Sequence, residues 1–516
     1  MATGPDGERT ELLAGLIAPA VADAPRRAAV IDDTTSVNFA ELEQYSLALA
    51  GAVAARTDPG DRVAVVADNG VPYALLYYAV PRCRRILTLI NQRLNPDEQA
   101  RAIAAAGARV LIGDPRYLDA LPADVAETVI AIDGPDWQRA LRHPSYDGPA
   151  PTPEDPAWLV FTSGTTGHPK AAVHTHRSLT AGAWGTVEGR SVEPADVYLT
   201  PYPLCHIAGY NILARNATGS TVVLPSRYRA DEFVATVNRY GVRSCSMAPT
   251  MLHALVAHVT ATGETMPTLR QIAYGSAPIS ADLIERATRI LGAEFHQGYG
   301  MTETAGTVTF LGPEEHRMGA EVLRSAGRPH RGVEVGIADD GPGGFAAVGQ
   351  IGEILVRGPQ VMTGYWRDEA ATAAALTDGW LHTGDIGRLD DGGRLTIVDR
   401  SKDVIITGGE NVSSREVEDA LSRHPDVDMV AVVGVPDDYW GEAICAVVVT
   451  HPGSAPTADE LIDYVRHQIS PFKRPRHVVF AGALPLTHNA KIAKDRVREI
   501  ARAAVAAAGE THARQR

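Results

Sequence analysis

Phe161-Thr162-Ser163-Gly164-Thr165-Thr166-Gly167-His168-Pro169-Lys170 is the stretch on which the reading of this chain turns. An apolar run of strand length, 158–162, leads into it. Residues 162–170 then hold two glycines, four hydroxyl side chains and a lysine. Glycines let the backbone turn tightly and present N–H groups, hydroxyls donate further hydrogen bonds, and the lysine brings positive charge. That is what a polyphosphate requires. A Walker loop places Ser or Thr directly after Gly-Lys. Here His168 and Pro169 separate Gly167 from Lys170, so the loop is a phosphate cradle of another kind.

Outward from the loop, the chain up to residue 400 alternates short apolar runs with helical patterns. Strands are expected at 62–67, 109–113, 129–133, 158–162, 221–224 and 271–274, and helices at 39–54, 96–106, 231–240 and 281–291. Strands of this kind, apolar on both faces and alternating with helices, predict parallel α/β sheets. From 331 to 398 the pattern shifts to short strands and glycine turns (333–337, 353–356, 395–398), which predicts a β-rich subdomain. Past a break near 399–403 lies a unit of roughly 115 residues, the size of a separate small α+β domain. Its expected elements are helices at 414–422, 457–468 and 494–507 and strands at 428–433, 444–450 and 477–480, ending in a frayed tail from 509. The expected division is 1–401 and 402–516.

The 516 residues exceed a typical single domain of about 100–150, and 45% hydrophobic with 21% charged residues supplies an ordinary globular core. A net charge of −14 argues against a nucleic-acid or anionic-membrane surface, though a few local lysines and backbone amides can still hold a phosphate. The basic runs at 82–85 and 473–476 are expected on solvated faces. Cys83, Cys205, Cys245 and Cys445 lie far apart without a C-x-x-C pair, so neither a disulfide framework nor a zinc site is expected. The first residues show no basic region followed by an apolar run, and no stretch of about 18 apolar residues occurs. A cytoplasmic protein without a transmembrane segment is the expectation.

Further blocks follow the loop in order: Pro203-Leu204-Cys205-His206-Ile207-Ala208-Gly209, Tyr274-Gly275-Ser276-Ala277-Pro278 and Gln297-Gly298-Tyr299-Gly300-Met301-Thr302-Glu303-Thr304. Then come Gly327-Arg328-Pro329, Gly352-Glu353-Ile354-Leu355-Val356-Arg357-Gly358, Gly379-Trp380-Leu381-His382-Thr383-Gly384-Asp385 and Val398-Asp399-Arg400-Ser401-Lys402-Asp403. Gly408-Gly409-Glu410-Asn411-Val412 and Leu484-Pro485-Leu486-Thr487-His488-Asn489-Ala490-Lys491 close the series. Together they span nearly the whole chain, which resembles the adenylate-forming superfamily of acyl-CoA synthetases, peptide-synthetase adenylation domains and beetle luciferases. The resemblance implies an α/β architecture: a large N-terminal domain of two doubly wound α/β subdomains plus a distorted β-barrel, and a small mobile C-terminal α+β domain.

It also implies a reaction in two halves. A carboxylate attacks the α-phosphate of ATP and releases pyrophosphate, and the acyl-AMP then meets a thiol, that of coenzyme A in the leading reading. Two anions must be brought together, so positioning and charge neutralisation outweigh acid–base work. By resemblance, Thr162, Ser163, Gly164, Thr165, Thr166, Gly167 and Lys170 hold the β- and γ-phosphates. Glu303 binds Mg²⁺, which favours few carboxylates plus phosphate oxygens and water. Thr302 lies near the α-phosphate. Gly275, Ser276, Ala277 and Pro278 form the adenine slot, continued by Gln297, Gly298, Gly300 and Met301, and Tyr299 stacks on the base. Asp385 accepts both ribose hydroxyls, Arg400 joins it there, and Lys402 is the hinge. Lys491 bridges the substrate carboxylate and the α-phosphate; in the second half-reaction the Gly408-Gly409 loop replaces it. His206 gates the passage between ATP and the acyl pocket.

Three positions depart from the family pattern: Ala490 replaces a glycine before the lysine, Cys205 an aromatic before His206, and Arg394 an aromatic before the hinge strand. The pocket candidates His206, Gly209, Tyr210, Thr250, Gly275 and Met301 include no charged anchor, which favours an apolar or aromatic acid over an amino acid. Two other functions stay open at this point. One is adenylation with another acceptor or acid (a carrier-protein thiol, an amine, or nitrite), and the other is an inactive binding protein on the same fold. A homodimer is the candidate assembly.

Overall fold

Val63–Val66, Leu87–Leu89 and Trp158–Val160 are apolar at successive positions, a pattern that suits strands covered on both faces. The computed structural model describes residues 9–162, 170–275, 279, 281–339, 344–400, 403–407, 410–437, 440–487 and 491–514. Within these residues the strands just named lie at the centre of a seven-stranded sheet. Its order is Gly364–Tyr365, Ala171–Thr175, Pro156–Phe161, Ile86–Leu89, Arg62–Val66, Ala108–Gly113 and Thr128–Ala131. Pairing is parallel from Pro156–Phe161 to Thr128–Ala131 and antiparallel at the other edge.

A nine-stranded sheet runs Arg328–Pro329, Gly306–Leu311, Glu294–Met301, Gln271–Gly275, Ser244–Met247, Val197–Leu199, Thr221–Leu224, Ala28–Asp32 and Ser36–Asn38. Helices Ala230–Tyr240, Pro249–Thr262 and Ala281–Leu291 pack their apolar residues on one face, around Leu199, Cys245, Met247, Ile272 and Phe295. Helices His176–Gly189 and Tyr210–Asn216 lie on the other. Each helix begins and ends where its sequence allows. Asn95 and Asn38 cap Pro96–Ala106 and Phe39–Ala54 with reciprocal glutamate bonds, and Gly107 closes the former in the left-handed region (φ 64°).

Strands Glu334–Ile337, Gly352–Arg357, Leu376–Thr377, Trp380–Leu389 and Leu395–Arg400 form the β-rich subdomain, all paired antiparallel. The C-terminal unit pairs Val427–Asp437 with Gly441–Thr450 as a long ribbon and adds His477–Phe480 in parallel, with helices Ser414–Leu421, Ala458–Gln468 and Lys494–Arg514. The chain is thus a mixed α/β protein with a large N-terminal domain and a smaller C-terminal one.

Two expectations need correction. The run at 82–85 does not lie on a solvated face. Arg82 forks onto Glu43 at 2.7 and 2.6 Å, and Arg85, only 5% exposed, donates Nε to Thr57 Oγ1 at 3.0 Å and further N–H groups to the Cys83 and Thr57 carbonyls. Helix Val71–Arg82 ends here, and carbonyls at a helix C-terminus need donors. The 473–476 run does lie toward solvent, where Lys473 meets Glu416 at 2.7 Å and Arg476 lies 3.9 Å from the centroid of the Trp440 ring. The last helix also continues through Gly509 to Arg514 instead of fraying, because the alanine-rich turns before it favour helix by more than one glycine costs.

Candidate active site

The phosphate-type loop leaves strand Pro156–Phe161 and returns into Ala171–Thr175. Its ends meet: the Thr162 amide donates to the Lys170 carbonyl at 2.8 Å and Thr162 Oγ1 donates to the same oxygen at 3.3 Å. Ser163, Gly164, Thr165, Thr166 and Gly167 lie outside the described residues, as do Ser276, Ala277, Pro278, Lys402, Gly408, Gly409 and Ala490.

Lys170 Nζ stands 5.3 Å from the centroid of the Tyr365 ring, and the Tyr365 hydroxyl donates to Glu303 Oε1 at 2.8 Å. Three residues far apart in sequence are thereby brought into one row. The edge strand Gly364–Tyr365 makes this possible, since it leaves the β-rich subdomain to pair with Ala171–Thr175 of the seven-stranded sheet. Just upstream, Gln360 Nε2 donates to the Thr304 and Thr307 carbonyls at 2.7 and 3.0 Å, and the Met362 amide donates to the Glu303 carbonyl at 2.8 Å. These bonds lace the short turn Thr302–Thr304 in place. Glu303 itself is 7% exposed. Burial, with the Glu303 carboxylate next, pushes the Tyr365 hydroxyl well above its ordinary value, so it remains a donor.

His174 Nε2 donates to the Thr302 carbonyl at 2.8 Å from a fully buried position. Burial pulls this imidazole down to about 4, only partly opposed by that bond, so near neutral pH it is an uncharged donor holding the Thr302–Glu303 backbone. On the far side of strand Glu294–Met301, the Tyr299 hydroxyl donates to Asp385 Oδ2 at 2.8 Å. Asp385 is 5% exposed, and the register of the barrel hairpin sets it opposite Arg400. A surface turn cap would not be so enclosed. Gly275 pairs in register with Gly298, whose carbonyl would lie 2.5 Å from any β-carbon at 275, so a side chain there is excluded. The Gln297 side chain points the other way and accepts from the Tyr274 hydroxyl at 3.3 Å. Met301 and Thr304 exchange backbone and hydroxyl bonds across the turn.

His206 is half-buried at the N-terminus of the turn Ile207–Gly209, which leads into helix Tyr210–Asn216. Cys205 beside it is buried and its thiol is pushed up to about 12, so it is not a nucleophile. The space a side chain at Gly209 would need is taken by the Tyr77 hydroxyl. The Tyr210 hydroxyl bridges Thr186 and Thr307 at 2.8 and 2.9 Å. Arg394, the third departure, binds Glu315 at 3.0 Å and Asp390 at 3.3 Å and serves the subdomain's own ion pairs.

Lys491 lies in the C-terminal unit on a tight turn. Its amide donates to Thr487 Oγ1 at 3.2 Å, its carbonyl accepts from the Thr487 amide at 2.6 Å, and helix Lys494–Arg514 starts just beyond. That helix is tied to both sides of the 399–403 break. Lys494 meets Glu418 at 3.0 Å and the Ser414 hydroxyl, Asp399 accepts the Ser414 amide at 2.7 Å, and Arg498 meets Asp403 at 3.3 Å. Across the two units, His253 Nε2 lies 3.1 Å from Asp428 Oδ1.

Tyr365, Gln360 and His174 were missed in the sequence reading. The signal that could have exposed Tyr365 is Gly364-Tyr365-Trp366, a glycine-led aromatic pair after the β-rich stretch. Arg190 and His296 were missed as well, both buried on the sheet face under helices His176–Gly189 and Tyr210–Asn216.

The model for AMP-binding enzymes matches residues 17–366, and the model for the AMP-binding enzyme C-terminal domain matches 416–491. Feruloyl-CoA synthase of Amycolatopsis sp is 37% identical over 480 residues, covering 92% of this chain and 96% of that one. Among solved structures, the amide bond synthetase McbA from Marinactinospora thermotolerans is 34% identical, with a TM-score of 0.85 over 94% of this chain and 99% of that one. The o-succinylbenzoate CoA synthetase MenE of Bacillus subtilis, solved with its acyl-adenylate intermediate OSB-AMP, is 29% identical with a TM-score of 0.82, covering 94% of this chain and 97% of that one.

Proposed function

This chain belongs to the AMP-binding enzyme family and is an AMP-forming acid–thiol ligase, and from that premise we propose how its own residues divide the work. It activates a carboxylic acid with ATP, releasing pyrophosphate, and passes the acyl group from acyl-AMP to the thiol of coenzyme A.

The observation that carries the assignment is the row Lys170–Tyr365–Glu303 at the mouth of the 162–170 loop. Lys170 neutralises terminal phosphate charge while Tyr365 fixes the Glu303 carboxylate, and His174 fixes the backbone that carries Thr302 and Glu303. Among the described residues no group of three or more His, Cys, Asp or Glu side chains gathers into a cage. A single buried glutamate beside a phosphate loop nevertheless suits Mg²⁺, an ion that draws most of its oxygens from polyphosphate and water. When bound, Mg²⁺ screens phosphate charge. Asp385, oriented by Tyr299, receives the ribose hydroxyls with Arg400 opposite, and Gly275 lets its strand pack closely on the Gly298 backbone beside the adenine slot.

The chain divides functionally at 399–403, with Lys402 as the pivot between domains 1–401 and 402–516. Lys491 reaches the carboxylate and α-phosphate during adenylation. Rotation at the pivot then withdraws it and brings Gly408-Gly409 to the thiol path past His206. Among the described residues no helix is long and apolar enough to cross a membrane, and we place the enzyme in the cytoplasm, as a homodimer to be checked by light scattering.

Pyrophosphate release and thioester formation, measured over a panel of acids with ATP, Mg²⁺ and CoA, test this reading. Acid-dependent pyrophosphate release with CoA thioester as product is expected. AMP and pyrophosphate without thioester would point to another acceptor. The likeness to an amide bond synthetase makes an amine the acceptor to try next.

A further inference from the structure

One face of helix His176–Gly189 runs from the Glu303 turn into the interior. Gly182 passes the Ala305 carbonyl, Thr186 bonds the Tyr210 hydroxyl, and Arg190 caps the helix end. These positions are four apart and share a face, and at 1.5 Å per residue the line from Gly182 to Arg190 spans about 12 Å. Strand register sets Ser246, Ala273 and His296 side by side on the sheet face that this line crosses. Arg190 donates to Ser246 Oγ at 2.8 Å and to Asn211 Oδ1 at 3.2 Å.

The charges there do not balance. Arg215 has Asp196 at 3.4 Å, but among the described residues no carboxylate lies within ion-pair distance of Arg190, which is 7% exposed and whose Nε has no hydrogen-bond partner. His296, 3% exposed, has no partner at either ring nitrogen. Buried cations and buried donors are ordinarily paired, because leaving them unpaired costs several kcal/mol on the order of a lost ion pair. A buried cation and a buried imidazole on one sheet face, with Arg190 two helical turns in from Gly182, are donors suited to an oxygen acceptor.

We propose that Arg190, with His296 on the same sheet face two strands from its partner Ser246, forms the floor of the acyl pocket and selects a carboxylic acid bearing a second oxygen acceptor, phenolic or carboxylate, about 12 Å or less from the carboxyl group that is activated. This rests on the ligase reading above and narrows its substrate class. It also revises the expectation of a pocket without a charged anchor, which considered only His206, Gly209, Tyr210, Thr250, Gly275 and Met301.

The test compares 3-phenylpropenoic acid with its para-hydroxy and para-carboxy forms. Pyrophosphate release is measured with ATP, Mg²⁺ and CoA, and binding of each acid by calorimetry without ATP. Wild type is expected to favour a para-oxygen acid over the unsubstituted one by at least about tenfold in kcat/KM, and the better of the two arms identifies the acceptor. In Arg190→Met and in His296→Val that ratio falls toward one, mainly through KM, while Arg190→Lys keeps part of it for the carboxylate arm. His296 has no bond to lose, so His296→Val is expected to fold even where Arg190→Met does not. A wild-type ratio near one, or a ratio unmoved in His296→Val, overturns the proposal. If no acid is turned over yet para-oxygen acids bind and lose affinity in the variants, the ligase reading fails and the pocket assignment holds. If para-oxygen acids neither bind nor react, the pocket assignment fails.

Discussion

The Tyr365 hydroxyl reaches Glu303 at 2.8 Å under the cationic end of Lys170, and it is the residue on which the proposed metal position most depends. Hydrogen bonds to charged groups contribute about 1.5–3 kcal/mol, so Tyr365→Phe is expected to lower acid-dependent pyrophosphate exchange about tenfold or more. The loss should be partly recovered at high Mg²⁺, which a Mg²⁺ titration of exchange rate would reveal. At the ribose, Asp385→Ala removes the partner of Tyr299 and is expected to raise the KM for ATP about tenfold while leaving the KM for the acid nearly unchanged. Buried neutral histidines make a separate prediction. His174 and His176 are pulled down to about 4 and His296 to about 3, each chiefly by burial. The unfolded chain protonates them near pH 6.5 while the folded chain resists, so their contribution is whole above about 6.5 and shrinks as pH falls toward 4. Stability curves at pH 7, 6 and 5 should therefore decline toward acid. His296→Val should flatten that decline by about 1.4 kcal/mol per pH unit between pH 6 and 5.

Among elements, the short strand Gly364–Tyr365 and the start of helix Lys494–Arg514 decide how the site is assembled; the helix start was expected at 494, and the strand was not expected at all. Two residues carry no periodicity, and their pairing to Ala171–Thr175 joins positions nearly two hundred residues apart. The long elements were readable because burial on one or both faces repeats along them. Phe39–Ala54, Pro96–Ala106, Ala281–Leu291, Thr221–Leu224 and His477–Phe480 match the expected spans end to end. At the 399–403 break, Lys494 offsets the burial of Glu418, whose carboxyl is pushed up by that burial. Lys494→Met is expected to destabilise the C-terminal unit by up to about 3 kcal/mol at neutral pH. The deficit should shrink as the pH falls, because protonated Glu418 can be buried without a partner. Hydrogen exchange of helices Ser414–Leu421 and Lys494–Arg514 would show it.

For the molecule as a whole, what could be read in advance was the inventory of chemistry; what could not was how much of it converges. Thr302, Glu303, Asp385 and Lys170 were singled out by the sequence blocks that resemble the adenylate-forming superfamily. Arg190 and His296 gave no such sign. A lone arginine after a helix and a histidine within a strand look like surface or core residues until strand register and helix phase bury both on the same sheet face. Arg85 shows the converse, a basic run that reads as solvated and instead satisfies helix-end carbonyls.

In the proposed reaction one lobe holds ATP and the other lends it a lysine for only half of the cycle. Lys491→Ala separates the halves: acyl-AMP formation is followed by pyrophosphate exchange, and thioester formation by supplying acyl-AMP with CoA. Loss of the first by a factor on the order of 100 or more is expected, with the second close to wild type. Equal loss of both, or neither, would contradict it.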